Sequence, residues 1–215
     1  MADNPLLIVE GKNDAYVFGE LLKKHKLVVV KDENGQKNEI VIREQGGFEN
    51  LKKNLGQIIK AADNSLAIVV DADDKDIGDR WKSLTDRLKN AGYSAKNIPS
   101  APLAKGTNID DDELPTIGIW IMPDNSSTGK IETFLKNIVA DDKSDLWKFA
   151  EETIEKLPQT LFKDKDKEKA HVHTYLAWQK DPGISMGTAI QTKCFQYDKP
   201  NAKNFVEWIK KVFDL

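Results

Sequence analysis

Carboxylate side chains follow two short apolar segments of this chain. Leu6-Leu7-Ile8-Val9 is followed by Glu10, and Ala67-Ile68-Val69-Val70 is followed by Asp71 and Asp73. A short apolar run bounded by polar residues is typical of a buried strand in a parallel sheet. The carboxyl ends of such strands form the edge where ligands bind. If the two strands are neighbours, we expect Glu10, Asp71 and Asp73 to meet there.

Three carboxylates at one edge would repel each other. Two of them ~4 Å apart repel by about 4 kcal/mol at an effective dielectric constant of ~20. Their pKa values would therefore shift strongly, or a cation would bind between them. A hard divalent ion with oxygen ligands is the natural partner, so the sequence predicts a Mg²⁺ site, or a Mn²⁺ site.

Other acids are candidates for the same cluster. The chain also carries Asp14, Asp74, Asp124 and Glu132, and Asp124 follows a third apolar segment, Ile117-Gly118-Ile119-Trp120-Ile121-Met122. Asp often ends a strand simply because it makes turns, which is the ordinary explanation for any one of these. Acids at three strand ends together favour a metal site. Asp71 and Asp73 are two residues apart, so an extended strand end would turn both side chains to one side.

The elements that would position these acids alternate between strand and helix. Strands are predicted at 5–10, 27–43 (two strands around an Asn34-Gly35 hairpin turn), 66–71, 93–98 and 117–122, and an acidic loop at 106–113. Helices are predicted at about 14–26 (with Asn13 or Asp14 as N-cap), 47–62, 76–91 and 131–139. Such alternation predicts an α/β fold with a mainly parallel, Rossmann-like sheet flanked by helices. From residue 141 the pattern is helical, at about 143–157, 165–179 and 201–213. We therefore predict a domain over 1–140 and a helical C-terminal extension over 141–215, packed on it.

Composition narrows the class of protein. The 215 residues are 40% hydrophobic and 31% charged, with a net charge of -3, which is ordinary for a globular protein. The single cysteine, Cys194, excludes an internal disulfide and a cysteine-rich zinc site. His171 and His173 would lie on different faces of a helix, so no zinc site is expected there. The sequence shows no signal peptide and no apolar run long enough for a membrane span, so a cytoplasmic protein is expected.

Glu10-Gly11-Lys12-Asn13-Asp14 after the first strand, followed later by Asp71-Ala72-Asp73, resembles the Toprim domain of topoisomerases, bacterial primases, RecR-type recombination factors and OLD-family nucleases. The resemblance covers about residues 5–140. With Met122-Pro123-Asp124-Asn125, Gly129-Lys130-Ile131-Glu132 and the helical tail, the chain looks most similar to small stand-alone Toprim-like proteins of bacteria. These resemble the OLD nuclease domain more than the topoisomerase domain.

The resemblance implies roles for particular residues. It puts Glu10, Asp71 and Asp73 on a catalytic metal ion, and Asp14 and Glu132, with Asp124 as a further candidate, on a second metal position. OLD-type nucleases also use a lysine from a later helix, for which Lys169 is the first candidate and Lys193 the second. The chain has no P-loop pattern, so an ATPase would be a separate partner protein.

The leading hypothesis is a Mg²⁺-dependent nuclease acting on DNA rather than RNA, with a partner ATPase, in phage defence or DNA repair. The alternative is a non-catalytic Toprim-fold subunit that binds nucleic acid or protein, and a homo-oligomer is compatible with either. A receiver-type phosphoacceptor and an aspartate-dependent phosphatase are lesser alternatives. Phosphate contacts need basic residues, and the candidates are Lys12, Lys52, Lys53, Lys75, Arg80 and Lys130. The five tryptophans, Trp81, Trp120, Trp147, Trp178 and Trp208, are expected mainly in the core.

Overall fold

A six-stranded sheet forms the centre of the molecule, in a computed structural model that describes residues 4–33, 36, 38–62 and 65–215. The strands are β1 (Leu6–Val9), β2 (Val28–Val30), β3 (Glu39–Glu44), β4 (Ser65–Asp71), β5 (Thr107–Ile109) and β6 (Thr116–Met122). Their order across the sheet is β2-β3-β1-β4-β6-β5, and only the pairing of β5 with β6 is antiparallel. The predicted α/β fold with a mainly parallel sheet is therefore confirmed.

Eight helices surround this sheet in the described part of the chain. They are α1 (Lys12–Lys24), α2 (Phe48–Ala61), α3 (Ile77–Asn90), α4 (Ile131–Asn137), α5 (Ser144–Glu155), α6 (Lys167–Ala177), α7 (Met186–Gln191) and α8 (Pro200–Phe213). Short 3₁₀ turns at Asp141–Lys143 and Asp164–Asp166 precede α5 and α6. None of the described helices has the length and apolar composition needed to cross a bilayer.

The two faces of the sheet bury separate apolar cores because neighbouring residues of a strand point in opposite directions. Leu7 and Val9 of β1 face the helices α1, α4, α5, α6, α7 and α8, whereas Leu6 and Ile8 face α2 and α3. The buried strands are apolar on both faces for this reason, as parallel strands usually are. The carboxyl ends of the strands therefore lie between two packed layers of helices.

The C-terminal helix is part of the first of these layers. α8 packs on β4 and β6, where a Cβ atom on Gly118 would lie 2.4 Å from Val212. Glycine at this position of β6 therefore lets α8 approach the sheet closely. The chain after residue 141 is helical as expected, while a domain boundary between residues 140 and 141 stays a prediction.

Several local expectations were wrong. β2 and β3 pair in parallel, so they do not form a hairpin, and the predicted turn at Asn34-Gly35 lies outside the described residues. Residues 93–98 form turns instead of a strand, and the loop predicted at 106–113 contains β5, which is paired with β6. The tryptophans do lie mainly in the core, as predicted: four are buried, and Trp178 at the end of α6 is 38% exposed. The short helix α7 was not predicted.

Candidate functional site: an acidic cleft at the carboxyl edge of the sheet

The adjacency of β1 and β4 brings Glu10 and Asp71 together. Glu10 directly follows β1 and Asp71 is the last residue of β4, and these strands pair in parallel. The Glu10 carboxylate accepts a hydrogen bond from the Asp71 backbone N–H at 2.8 Å. Burial raises the pKa of Glu10, against the opposing effects of this hydrogen bond and of the Arg80 charge. The side chain is thus a desolvated acid fixed at the edge of the sheet.

Asp73 lies in a turn beyond the end of β4. Its φ angle is +56°, and its backbone exchanges hydrogen bonds of 2.9 and 3.0 Å with Gly129. The strand is therefore not extended as far as Asp73, and the expected alternation of side chains stops at Asp71. The Asp73 carboxylate instead contacts two cations, Arg80 Nη2 at 2.7 Å and Lys130 Nζ at 3.5 Å.

Arg80 is a buried cation beneath this site. Its side chain is 2% exposed, while that of its partner Asp73 is 42% exposed. The guanidinium lies over the Phe48 ring at 3.9 Å, and its Nε has no hydrogen-bond partner among the described residues. A buried guanidinium needs a carboxylate partner, so Arg80 and Asp73 depend on each other.

Asp14 approaches the same edge from α1. The sequence predicted Asn13 or Asp14 as the N-cap, but the N-cap is Gly11 and Asp14 is the third residue of the helix. From there its carboxylate accepts a hydrogen bond from the Gly11 N–H at 2.8 Å. Burial raises the pKa of Asp14 to about 7, and repulsion from Glu10 and Glu132 adds to the effect of burial.

Glu132 completes the set from the first turn of α4. It is buried, and burial raises the pKa of its carboxyl although its own backbone N–H, Lys130 and Lys169 oppose the shift. A negative charge in the first turn of a helix is stabilised by the helix dipole. This partly offsets the free-energy cost of burying Asp14 and Glu132 there.

Asp71 has the least compensated charge of the cluster. Burial raises the pKa of its carboxyl well above the usual range, and repulsion from Asp14, Glu10, Asp73 and Glu132 raises it further. Four carboxylates thus add to the rise in the pKa of the Asp71 carboxyl. The ionised cluster needs positive charge to be stable.

These acids line a cleft of about 440 Å³. The walls carry both signs of charge and are formed by Glu10, Gly11, Lys12, Asn13, Asp14, Gly46, Gly47, Asp71, Asp73, Lys130, Ile131, Glu132, Lys165, Asp166, Glu168 and Lys169. The acids form one side, and the segment that leads into α6 forms the other. Lys130 joins the two sides because its Nζ also donates to the Lys165 carbonyl at 3.1 Å.

The structure brings together most of the predicted site residues. Glu10, Asp14, Asp71, Asp73 and Glu132 line the cleft, and so does Lys169. Asp124 is turned away from it: its carboxylate accepts hydrogen bonds of 2.7–3.0 Å from the N–H and hydroxyl groups of Ser126 and Ser127. These bonds lower the pKa of Asp124 despite the opposing effect of burial. Lys193 lines a different cavity, beside Lys143.

The predicted phosphate-binding lysines are distributed over three places. Lys12 and Lys130 line the cleft, and Lys75 and Arg80 line an adjoining recess of about 330 Å³. Lys52 and Lys53 line a third cavity, between α2 and α3, and the Lys52 Nζ is paired with Glu49 at 2.8 Å.

The sequence analysis missed two segments of the cleft. Gly46 and Gly47, with φ angles of +70° and +107°, lead from β3 into α2, and a Gly-Gly pair between a strand and a helix was the signal for them. Lys165 and Glu168 gave no such signal, because the alternating charges around them are typical of a solvated helix start.

The donor set fits a divalent metal ion in its chemistry. Carboxylate oxygens are the ligands that Mg²⁺ and Mn²⁺ prefer, and burial raises the pKa of Asp71, with repulsion from the neighbouring carboxylates adding to it. Across residues 4–33, 36, 38–62 and 65–215, no three acidic, histidine or cysteine side chains are already arranged as a metal-binding group. Glu10 and Asp73 are instead held by protein donors, so binding a metal would exchange those bonds for metal bonds.

Comparisons with known proteins place the chain in a family. Residues 4–214 match the model of the family described as "Protein of unknown function (DUF3226)", so the chain belongs to this family. Among solved structures, the chain is similar to the C-terminal region of the OLD protein of Xanthomonas campestris pv. campestris, at 12% identity and a TM-score of 0.48. That similarity covers 98% of this chain and 95% of the other. No curated protein matches the chain.

Proposed function

We propose that this DUF3226 protein is a nuclease that depends on Mg²⁺ or Mn²⁺ and hydrolyses phosphodiester bonds of DNA. The observation that carries the proposal is the crowding around Asp71, whose pKa is raised by burial and by four other carboxylates. Ionisation of Asp71 is unfavourable there in the absence of a cation, so its charge does not stabilise the fold.

The cleft residues divide into metal ligands and phosphate-binding groups. Glu10, Asp71 and Asp73 would hold one ion, and Asp14 and Glu132 a second one, as the Toprim resemblance implies. A bound divalent cation supplies stabilisation of the negative charge that develops on the phosphate oxygens. Asp124 is left out of both sets because it lies outside the cleft and Ser126 and Ser127 already bond to its carboxylate.

Lysines of the cleft would hold the phosphate backbone, Lys12 on α1 and Lys165 and Lys169 around the start of α6. Lys12, Lys165 and Lys169 are exposed on the cleft and form no ion pair with another described residue. They offset the charge of DNA and lead it toward the acids. Lys169 also lies close enough to Glu132 to affect the pKa of that carboxyl, so it is placed to stabilise charge near the acids.

The Toprim and OLD resemblance extends the proposal to a partner. The chain has no P-loop pattern, so we propose a separate ATPase as its partner, in phage defence or DNA repair. Co-purification of the tagged protein with an ATP-hydrolysing protein from its own host would support this part, and recovery of the protein alone would count against it.

A cleavage assay tests the proposal. Supercoiled plasmid and single-stranded DNA are incubated with Mg²⁺ or Mn²⁺ and the wild type, Asp71→Asn or Asp124→Asn. We expect metal-dependent cleavage that Asp71→Asn loses and Asp124→Asn keeps, because only Asp71 lies in the cleft. Equal activity in the wild type and Asp71→Asn would contradict the proposed site.

A second function has one observation in its favour. Protein groups hold Glu10 and Asp73, as in a site that is structural in the absence of metal. A non-catalytic subunit that binds nucleic acid or protein would use the cleft lysines, Lys12, Lys165 and Lys169, without a metal ion. It would bind DNA with equal affinity in chelator and in Mg²⁺ and would cleave nothing, whereas a nuclease should bind more tightly with the metal.

A further inference from the structure

We infer that the cleft takes an unpaired nucleotide, whose base stacks on Tyr16. This inference rests on the proposed function and adds a substrate class, single-stranded DNA, that the acids alone do not specify. It comes from an exposed aromatic side chain on α1, one helical turn from cleft-lining Lys12, that makes no ring or hydroxyl contact with the described residues.

Tyr16 is 67% exposed on α1. Neither its ring nor its hydroxyl has a partner among the described residues. Its backbone is nevertheless well fixed, since a Cβ atom on Gly187 of α7 would lie 3.0 Å from the Tyr16 carbonyl oxygen. The base of the side chain is packed as well, since the same atom would lie 3.1 Å from the Tyr16 Cβ, while the ring beyond it is exposed.

The position of Tyr16 on α1 directs it to the cleft. It follows Lys12 by four residues and Asn13 by three, so the three side chains share one face of the helix. Lys12 and Asn13 line the cleft. Side chains of a helix lean toward its N-terminus, which is the cleft end of α1. Tyr16 does not itself line the cleft, but it lies one turn, ~5.4 Å, along α1 from Lys12, which does.

The charges beside Tyr16 fit a nucleotide. Lys12 supplies a cation for a phosphate one turn away from the ring, and Lys165 and Lys169 face it across the cleft. A phosphate next to an aromatic face is the combination by which proteins bind single strands. In a duplex both faces of each base are covered by its neighbours, so a base that stacks on Tyr16 must be unpaired.

Binding of a labelled deoxyoligonucleotide tests the inference. Fluorescence anisotropy is measured for a single strand and for its duplex, with the wild type, Tyr16→Ala, Tyr16→Phe and Phe149→Ala. Phe149 is the control because it is also exposed, at 58%, but lies on α5 and not on α1, where its ring packs against Trp178. We expect Tyr16→Ala to weaken single-strand binding about tenfold, with Tyr16→Phe and Phe149→Ala near wild type, since stacking needs only the ring.

The outcomes separate this inference from the proposed function. Unchanged binding in Tyr16→Ala, an equal loss in Phe149→Ala, or a wild type that prefers the duplex or binds neither strand would overturn the stacking role of Tyr16. A wild type that shows the expected binding pattern but cleaves nothing would leave the stacking site and overturn the nuclease. Cleavage that depends on Asp71 but not on Tyr16 would leave the nuclease and overturn the stacking site.

Discussion

The two ends of the sheet carry cavities that differ in size and in the state of their charges. The cavity at the amino end of β6, between α2 and α3, is about 880 Å³, twice the volume of the acidic cleft. Its lysines and arginine include Lys60 and Arg87 in the last turns of their helices, where the helix dipole favours cations. Its acids include Asp112 and Glu113 on an exposed loop. All four of these residues are exposed, so bulk solvent screens their charges.

The acidic cleft is smaller, but its charges are not satisfied in this way. Asp14 and Glu132 are buried, and the pKa of Asp14 is raised to about 7. Desolvated groups of like charge store free energy that a bound cation can release, whereas solvated charges around a larger cavity store little. The candidate site is therefore distinguished from the larger cavity by the burial of its charges and not by its volume.

Removing one carboxylate at each end of the sheet should give the largest difference between the two cavities. We expect Glu10→Gln to lower the rate of metal-dependent DNA cleavage at least about 100-fold, because changes to the partners of metal ligands already cost about 10–100-fold. Glu113→Gln at the other end should leave the rate unchanged. Initial rates on plasmid DNA measure both, and a similar loss in the two variants would contradict the difference between the ends.

Within the cleft, two acids should differ in their effect on stability. Asp73→Asn leaves the buried Arg80 without a carboxylate and should lower the free energy of unfolding by about 1–3 kcal/mol. Asp71→Asn removes a charge that its neighbours repel, so it should leave the free energy of unfolding unchanged or raise it. Urea unfolding in chelator measures both variants. Destabilisation of the same size in each would show that Asp71 is paired and not repelled.

Replacing one lysine at each end of the sheet should affect DNA binding only at the cleft. Lys169→Met should weaken DNA binding and reduce the dependence of log Kd on log salt concentration by about one unit, as loss of one phosphate contact does. Lys60→Met should change neither quantity. Anisotropy titrations at several salt concentrations provide the measurement, and an equal effect of the two variants would place DNA on both ends of the sheet.

The smallest effect is expected for the contact that joins the two cleft walls. Lys130→Met removes the bonds from Nζ to the Asp73 carboxylate and the Lys165 carbonyl. Because the contact is partly exposed, we expect a loss of stability of about 1 kcal/mol or less, with faster proteolysis of the segment before α6. Limited proteolysis followed by mass spectrometry detects this. An unchanged cleavage pattern would mean that other contacts hold the wall.

The sequence predicted the centre of the fold because its strands are apolar runs with acids at their ends. β1, β4 and β6 and the helices after them were found in this way. Two strands were also predicted over 27–43, but their direction was wrong: the segment between them is typical of a hairpin, yet β2 and β3 pair in parallel. Strand direction depends on tertiary packing at the edge of a sheet, which local turn preference does not report.

The candidate site was predictable to the extent that strand ends define it. Glu10, Asp71 and Asp73 follow from that rule, while Asp124 obeys the same rule and lies outside the cleft. Ser126 and Ser127 donate hydrogen bonds to its carboxylate, as is common where an Asp begins a turn. Lys165 could not be predicted, since it reaches the cleft only through the packing of distant helices.

Direct binding of a metal ion tests the central claim most simply. Isothermal titration calorimetry of the chelator-treated protein with Mn²⁺ is compared for the wild type, Asp71→Asn and the solvated control Asp112→Asn. Burial and mutual repulsion of the cleft carboxylates predict that the wild type and Asp112→Asn bind Mn²⁺ and that Asp71→Asn loses this binding. Absence of binding in the wild type, or equal binding in all three proteins, would contradict the assignment of the acidic cleft as a metal site.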